Sequence, residues 1–241
     1  MVSCRWRRSS SRIVTAFLLT AALSFSVGRP AMAGAGALQA SDNGFDFGHA
    51  GIDFKLFHTF TLTNNGQKDI VLHTANVPCE CTSVQILDTL LKPGEATNVR
   101  VALDTYSLYG PSSKQFSIQT SDPATPSFVY PYFATVGQWP MGLKPDPINL
   151  FFLPGHAAKK LSIPNPALDK MNVSLVDQAD TVYTVSVLKS SVRKGERAEV
   201  EVTPKQNVRP GTYFSSFSLQ LDLPEGAKPV LLNIPVKIVR Y

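Results

Sequence analysis

The chain has 241 residues, of which 44% are hydrophobic, 17% are charged and 10% are aromatic. This composition is that of a globular protein, and it excludes a largely disordered chain and a collagen-like fibre. The formal net charge of +5 comes from five arginines in the first 33 residues, which contain no acidic residue. The remaining residues carry 18 basic and 18 acidic side chains, so no basic surface for a nucleic-acid partner is expected.

The first 33 residues have the pattern of an export signal. A basic segment, Arg5–Arg12, precedes the mostly apolar run Ile13–Val27, and Ala31-Met32-Ala33 is a small-x-small motif. Signal peptidases cleave after such a motif, so cleavage after Ala33 is predicted. The apolar run is shorter than the ~20 residues that a membrane-spanning helix needs. The sequence therefore predicts a periplasmic or secreted protein with no membrane span.

From residue 44 onwards, short runs of alternating apolar residues recur between turn residues. The even positions of Phe54–Leu62 share one face of a predicted strand, and Asn64-Asn65-Gly66 after it is a hairpin-turn signal. Further alternating runs follow in the first half, at Asp69–Val77, Ala96–Leu103, Gln115–Thr120 and Ser127–Val136. Short strands with frequent turns are typical of an antiparallel β-sandwich.

The second half repeats the pattern of the first. Residues 93–101 are similar to residues 194–202, and 60–64 are similar to 160–165. The segment between the halves contains Pro140 and Pro145 and has the composition of a linker. We therefore predict an all-β protein with two tandem immunoglobulin-like antiparallel β-sandwich domains. The predicted limits are a signal peptide at 1–33, a flexible mature N-terminus at 34–43, domains at 44–137 and 146–241, and a linker at 138–145.

Four motifs in the first half carry a family resemblance. In chain order they are Phe45-Asp46-Phe47-Gly48, His58–Gly66, Cys79-Glu80-Cys81-Thr82 and Lys92-Pro93-Gly94-Glu95. In that order the motifs resemble the exported bacterial domain-of-unknown-function 1573 family. The resemblance implies an immunoglobulin-type sandwich related to Hydin-like β domains, and an exported location. It implies no biochemical activity.

Cys79 and Cys81 are the two cysteines that remain after the predicted cleavage, and they would enter an oxidising compartment. On an extended strand their Cα atoms would be about 6.6 Å apart, at the upper limit for a disulfide. Two thiolates on one face could instead bind Cu(I), with His73 as a candidate third ligand. Three alternatives follow: a structural and half-buried pair, a redox-active disulfide, or a metal site of Cys79, Cys81 and His73. The structural role is the simplest of the three.

The sequence contains no motif that predicts catalysis, so we expect no enzyme activity. His58 lies between Leu56 and Phe60 on an apolar strand face and is expected to be a hydrogen-bonded core residue. The sequence favours a non-catalytic adaptor or envelope structural module, without a cofactor, that contacts an exported protein through strand edges or loops. The alternative is a periplasmic copper(I)-binding or thiol-redox protein that uses Cys79 and Cys81.

Overall fold

The computed structural model describes residues 36–224 and 226–241, and nearly all regular structure in these ranges is β-strand. The predicted signal peptide and its cleavage site lie outside the described residues. Within them, no helix is long and apolar enough to cross a membrane. The described residues form one compact unit. The all-β prediction is confirmed.

Nine strands build the first sandwich. They are β1 (Leu38–Ala40), β2 (Phe45–Ala50), β3 (Lys55–Asn64), β4 (Ile70–Asn76), β5 (Thr82–Ile86), β6 (Leu90–Leu91), β7 (Ala96–Asp104), β8 (Gly110–Thr120) and β9 (Ser127–Val136). One sheet has the order β1-β3-β7-β5, and the strands β2-β9-β8-β4-β6 face it. Residues 38–40, which the sequence places in a flexible N-terminus, instead form β1 and pair with β3, because Leu38 is buried in the core.

Eight strands build the second sandwich. They are β10 (Leu150–Phe152), β11 (Lys159–Pro164), β12 (Lys170–Gln178), β13 (Tyr183–Lys189), β14 (Ser191–Arg193), β15 (Arg197–Pro204), β16 (Gly211–Asp222) and β17 (Val230–Arg240). The smaller sheet has the order β11-β15-β13, and the larger runs β14-β12-β16-β17. The predicted domain limits stay a prediction.

Alternating side chains give each sandwich its own core. Leu56, Phe60 and Leu62 of β3 are buried on one face, as the alternation predicts. A separate cluster of buried apolar residues fills the second sandwich. Burial of these side chains is the main stabilising contribution of each sandwich.

The sequence predicts antiparallel pairing throughout, but three of the strand pairs are parallel. β2 pairs in parallel with β9, and β10 pairs in parallel with β17. β2 also meets β17 in parallel at the pair His49 and Leu232, so one sheet continues from the first sandwich into the second. The reason is topological, since a short strand near the start of each sandwich lies beside its last strand and runs in the same direction.

A buried asparagine fixes the same turn in both sandwiches. Asn64 Nδ2 donates to the carbonyl oxygens of Lys68 and Leu91, both at 2.8 Å. In the second sandwich, Asn165 Nδ2 donates to the carbonyl oxygens of Leu168 and Val192, at 2.8 and 3.3 Å. The repeat seen in the sequence therefore extends to individual hydrogen bonds.

The neighbouring glutamates are equivalent as well. Glu95 Oε2 accepts a hydrogen bond from the backbone N–H of Lys92 at 2.9 Å, and Glu196 Oε2 accepts one from the N–H of Arg193 at 2.7 Å. The hydrogen bond from the Arg193 backbone, together with Lys189, lowers the pKa of Glu196. These turns place β7 and β15 at the same position in the two sandwiches.

Candidate protein-binding site

The second sandwich covers one edge of the first. On β3, the backbone N–H and C=O of Phe57 point away from β7, and the hydroxyl of Ser216 bonds to both. It accepts from the Phe57 N–H at 2.8 Å and donates to the Phe57 carbonyl at 3.1 Å. This edge of β3 is therefore closed to further strand pairing.

His58 joins the two sandwiches beside this contact. The residue is 5% exposed, with Nδ1 3.1 Å from Asp177 Oδ2 and Nε2 3.3 Å from Asp42 Oδ2. The Phe45 ring stacks on the imidazole at 3.6 Å. The structure thus places His58 in a buried, hydrogen-bonded position, as the sequence indicates. Both ring nitrogens therefore face carboxylate oxygens, one from each sandwich.

A tyrosine extends this polar cluster into the first core. The Tyr130 hydroxyl donates a hydrogen bond to Asp42. Burial raises the pKa of Tyr130, and the hydrogen bond and charge of Asp42 raise it further. The phenol is therefore neutral at ordinary pH and holds Asp42 in place. The cluster acts as a structural connection between the sandwiches.

Arg100 is the third contact between the sandwiches. One guanidinium nitrogen lies 3.4 Å from Asp180, and another donates to the Phe214 carbonyl at 2.6 Å. The guanidinium also lies over the Phe57 ring, 4.6 Å from its centroid. Arg100 therefore holds β7 against the segment before β13 and against β16.

A groove of about 580 Å³ lies between the sandwiches. Its wall in the second sandwich contains a row across three paired strands, in which Phe151 of β10 and Phe214 of β16 flank Lys237 of β17. The Lys237 ammonium is 5.2 Å from the centroid of each ring. Side chains of the first sandwich form the opposite wall, among them Asp53, Lys55, Phe57, Asp104 and Tyr106.

A second depression continues the groove towards β5. It shares Lys55, Phe57 and Phe214 with the groove, and it reaches Ser83 and Gln85 on the outer face of β5. A ligand lying along this path would contact both sandwiches.

β5 has an open edge beside the groove. It pairs with β7 on one side, and no strand in the described ranges pairs with its other side. The carbonyl of Cys81 and the N–H of Leu87 both bond to β7. Because backbone groups alternate along an antiparallel strand, those of Val84 and Ile86 point to the open side.

The cysteine pair lies in a turn immediately before β5. Cys79 and Cys81 form a disulfide with a Cα–Cα distance of 5.2 Å, and the Thr82 N–H donates to the Cys79 carbonyl at 3.2 Å. An extended strand, as predicted from the sequence, would hold these Cα atoms about 6.6 Å apart, whereas the turn brings them closer together. Both cysteines are half-buried and Glu80 between them is exposed.

The Thr82 hydroxyl anchors the turn from inside. It lies 3.5 Å from Cys79 Sγ and 3.7 Å from Cys81 Sγ, and it bonds to the Tyr132 hydroxyl at 2.5 Å. Burial raises the pKa of Tyr132, whereas the bond from Thr82 lowers it. The disulfide and Thr82 together fix where β5 begins.

His73, the candidate third metal ligand, is exposed on β4. Across residues 36–224 and 226–241, no three His, Cys, Asp or Glu side chains are grouped in a way that could hold a metal ion. The metal site of Cys79, Cys81 and His73 stays a prediction for the reduced protein.

The comparisons with known proteins agree with the family resemblance. Residues 38–130 match the model of a family described as a protein of unknown function (DUF1573), as the four motifs indicate. No curated protein matches the chain.

Several solved structures show a distant likeness. A protein of unknown function from Porphyromonas gingivalis is 13% identical, and the match covers 85% of this chain and 100% of that protein at a TM-score of 0.34. The ASH / PapD-like domain 7 of human CEP192 is 11% identical, with coverage of 48% and 98% and a TM-score of 0.38. The periplasmic chaperone SfaE is 12% identical, with coverage of 83% and 99% and a TM-score of 0.31. At these scores, function does not follow from the likeness.

Sequence reasoning missed the groove and the open edge. Phe151, Phe214 and Lys237 come together only through the register of three strands that are distant in the chain. The sequence does contain a feature that indicates the strand β5, because Thr82–Ile86 directly follows the cysteine motif and alternates in polarity.

Proposed function

We propose that this chain is an exported, non-catalytic binding protein that takes an extended segment of another exported protein onto the open edge of β5. The observation that carries the proposal is the outward backbone of Val84 and Ile86 beside the groove. Strand addition at an open edge supplies main-chain hydrogen bonds, and neighbouring pockets then select side chains. The exported location rests on the sequence pattern of the first 33 residues.

Other edges of the smaller sheets support the choice of β5. On the other side of that sheet, β1 pairs with the last part of β3 and Ser216 covers β3 at Phe57. The edge of β11 is covered by a bridge between Asp146 and Ser162. β13 of the second sandwich is the equivalent open strand. The outer face of β5 forms part of the groove system, which gives a peptide on β5 additional side-chain contacts.

The titratable groups support a binding role without catalysis. His58 is held by two carboxylates, and Tyr130 donates to one of them. The disulfide removes both thiols of the cysteine pair. In the described part of the chain, these groups are engaged in structural contacts rather than directed into the groove.

A backbone-directed substitution tests the proposal. Val84→Pro removes an N–H on the open side of β5 and leaves the hydrogen bonds to β7 intact, which an edge strand tolerates. The matched control is Val185→Pro, at the equivalent outward position of β13. We expect the Val84→Pro chain, immobilised and exposed to exported proteins, to lose proteins that the Val185→Pro chain retains. Identical retention by both variants and the unmodified chain would contradict the proposal.

Copper(I) binding or thiol exchange at Cys79 and Cys81 is the second candidate function, because the pair is half-exposed and close together. A dithiol reductant would convert the disulfide to two thiols and would itself become a disulfide. We expect the reduced chain to take up about one Cu(I), by thiolate coordination, and the Cys79→Ser variant to take up none. Equal copper content in the two proteins contradicts this candidate.

A further inference from the structure

Charged and aromatic side chains line the groove beside β5, and their arrangement would select a particular ligand. The inference drawn from this arrangement rests on the proposed function. We propose that the groove recognises a side-chain carboxylate flanked by apolar side chains in the bound peptide, with Lys237 as the partner of the carboxylate.

The aromatic row offers exposed apolar surface. Phe151 and Phe214 remain 41% and 47% exposed, although both lie on regular strands. Tyr106, on the opposite wall, is exposed as well. Exposed aromatic rings grouped around a concavity are characteristic of binding surfaces, where a ligand buries them.

Lys237 supplies a cation between the two rings. Its ammonium is held by both ring faces, and among the described residues no carboxylate oxygen lies within ion-pair distance of it. The nearby Lys159 donates to the Phe151 carbonyl, which adds positive charge to this wall. A carboxylate that enters between the rings would therefore gain a charge-assisted hydrogen bond in a partly desolvated site.

The opposite wall restricts how much negative charge the ligand carries. Asp53 and Asp104 line it, and Asp104 lies 3.9 Å from Lys55. A polyanion along the groove would meet these two carboxylates and be repelled by them. The charge pattern therefore favours one acidic residue in a mostly apolar segment.

The row also lies within reach of a peptide on β5. The groove and the depression beside β5 share Lys55, Phe57 and Phe214, so the path from Gln85 to Lys237 is continuous. An extended peptide advances about 3.3 Å per residue, so a segment of eight residues reaches about 26 Å.

Two labelled peptides test the inference. Each has eight residues, with a stretch of alternating valine and threonine followed by Phe-Asp-Phe in one probe and Phe-Asn-Phe in the other. Both C-termini are amidated, so the aspartate is the one carboxylate that differs. We expect fluorescence anisotropy with the purified chain to give about tenfold tighter binding of the aspartate probe.

A charge-removing variant assigns that preference to Lys237. Lys237→Met keeps an apolar side chain over the rings and removes the charge, so the tenfold preference should disappear and the two probes should bind with about the same affinity. Lys194→Met, in an exposed turn of the second sandwich, removes the same charge elsewhere and should keep the preference. Equal binding of both probes, binding of neither, or an unchanged preference in Lys237→Met would overturn the inference.

The edge variant separates this inference from the proposed function. If Val84→Pro weakens both probes and Lys237→Met has no effect, strand addition stands and recognition of the carboxylate fails. If Lys237→Met abolishes the preference and Val84→Pro has no effect, the groove binds the carboxylate without strand addition at β5.

Discussion

The two sandwiches share one turn and differ in the segment that precedes the open strand. Asn64 and Asn165 make the same hydrogen bonds, and Glu95 and Glu196 close the same turn. β5 and β13 also begin with the same alternation of buried and exposed residues. The common frame is therefore fixed by buried polar side chains as well as by the apolar cores.

The segments before β5 and β13 have diverged. In the second sandwich, Asp180 pairs with Arg100 and the Ala179 carbonyl accepts from Thr59, so this segment docks on the first sandwich. The equivalent segment of the first sandwich is the disulfide turn, with Glu80 exposed. One copy of the segment therefore joins the sandwiches, while the other leaves its strand available to a partner.

The greatest loss of stability is expected when the turn that the two sandwiches share is disrupted. Asn64→Ala and Asn165→Ala each remove three side-chain hydrogen bonds, one of them to a buried carbonyl, so each should cost about 3 kcal/mol of unfolding free energy. Urea denaturation measures both losses, with the exposed Asn65→Ala as the control. A large loss for one variant and a negligible one for the other would show that the two turns are not equivalent.

The segments before β5 and β13 can be compared by removing the contacts that hold each of them, which are the disulfide in the first sandwich and those of Gln178 in the second. Replacing Cys79 and Cys81 by serine releases a very short loop, which costs about 1.5 kcal/mol by chain entropy. Gln178→Ala should cost a similar amount in the second sandwich, because Gln178 Nε2 bonds to the carbonyls of Asp180 and Tyr183 at 2.6 and 2.9 Å. A reductant should destabilise the unmodified chain and leave the double-serine variant unchanged. A reductant effect on the serine variant would refute this assignment.

Alkaline pH compares the two cores. Burial raises the pKa of Tyr130 and of Tyr183. Above about pH 10 the unfolded chain loses tyrosine protons that the folded chain retains, so stability falls by up to about 1.4 kcal/mol per pH unit for each tyrosine. Tyr130→Phe and Tyr183→Phe should each make this decline shallower, as measured by denaturation between pH 9 and 11 (about one unit either side of the ordinary tyrosine pKa). The exposed Tyr241→Phe serves as the control, and a decline as steep in the core variants as in the control would contradict the account.

Reversing the charge at two equivalent positions, Arg100 and Glu201, should change the stability least. Arg100 of β7 corresponds to Glu201 of β15. Arg100→Glu loses the contact with Asp180 and should destabilise the chain by about 1 kcal/mol, given partial solvent screening. Glu201→Arg lies outside that contact and should change stability by less than about 0.5 kcal/mol. Equal effects in thermal unfolding would mean that Arg100 has no special role in docking.

The strands could be predicted from the sequence more completely than the candidate protein-binding site. Alternation placed Leu56 and Phe60 in a core, because the two-residue period of a strand is local. The contact of His58 with Asp177 could not be predicted, since it depends on how two separately folded cores dock. The cysteine turn differed from expectation because a local backbone reversal, rather than the strand period, sets the Cα distance of Cys79 and Cys81.

Site-specific photocrosslinking in the producing cells would show whether a partner protein lies along the open edge of β5. A photoreactive residue at Gln85 of β5 is compared with one at Ser186 of β13, the equivalent exposed position of the other open strand. The account predicts a discrete adduct with an exported protein at position 85 and none at position 186. No adduct at 85, or the same adducts at both positions, would contradict binding at the open edge of β5.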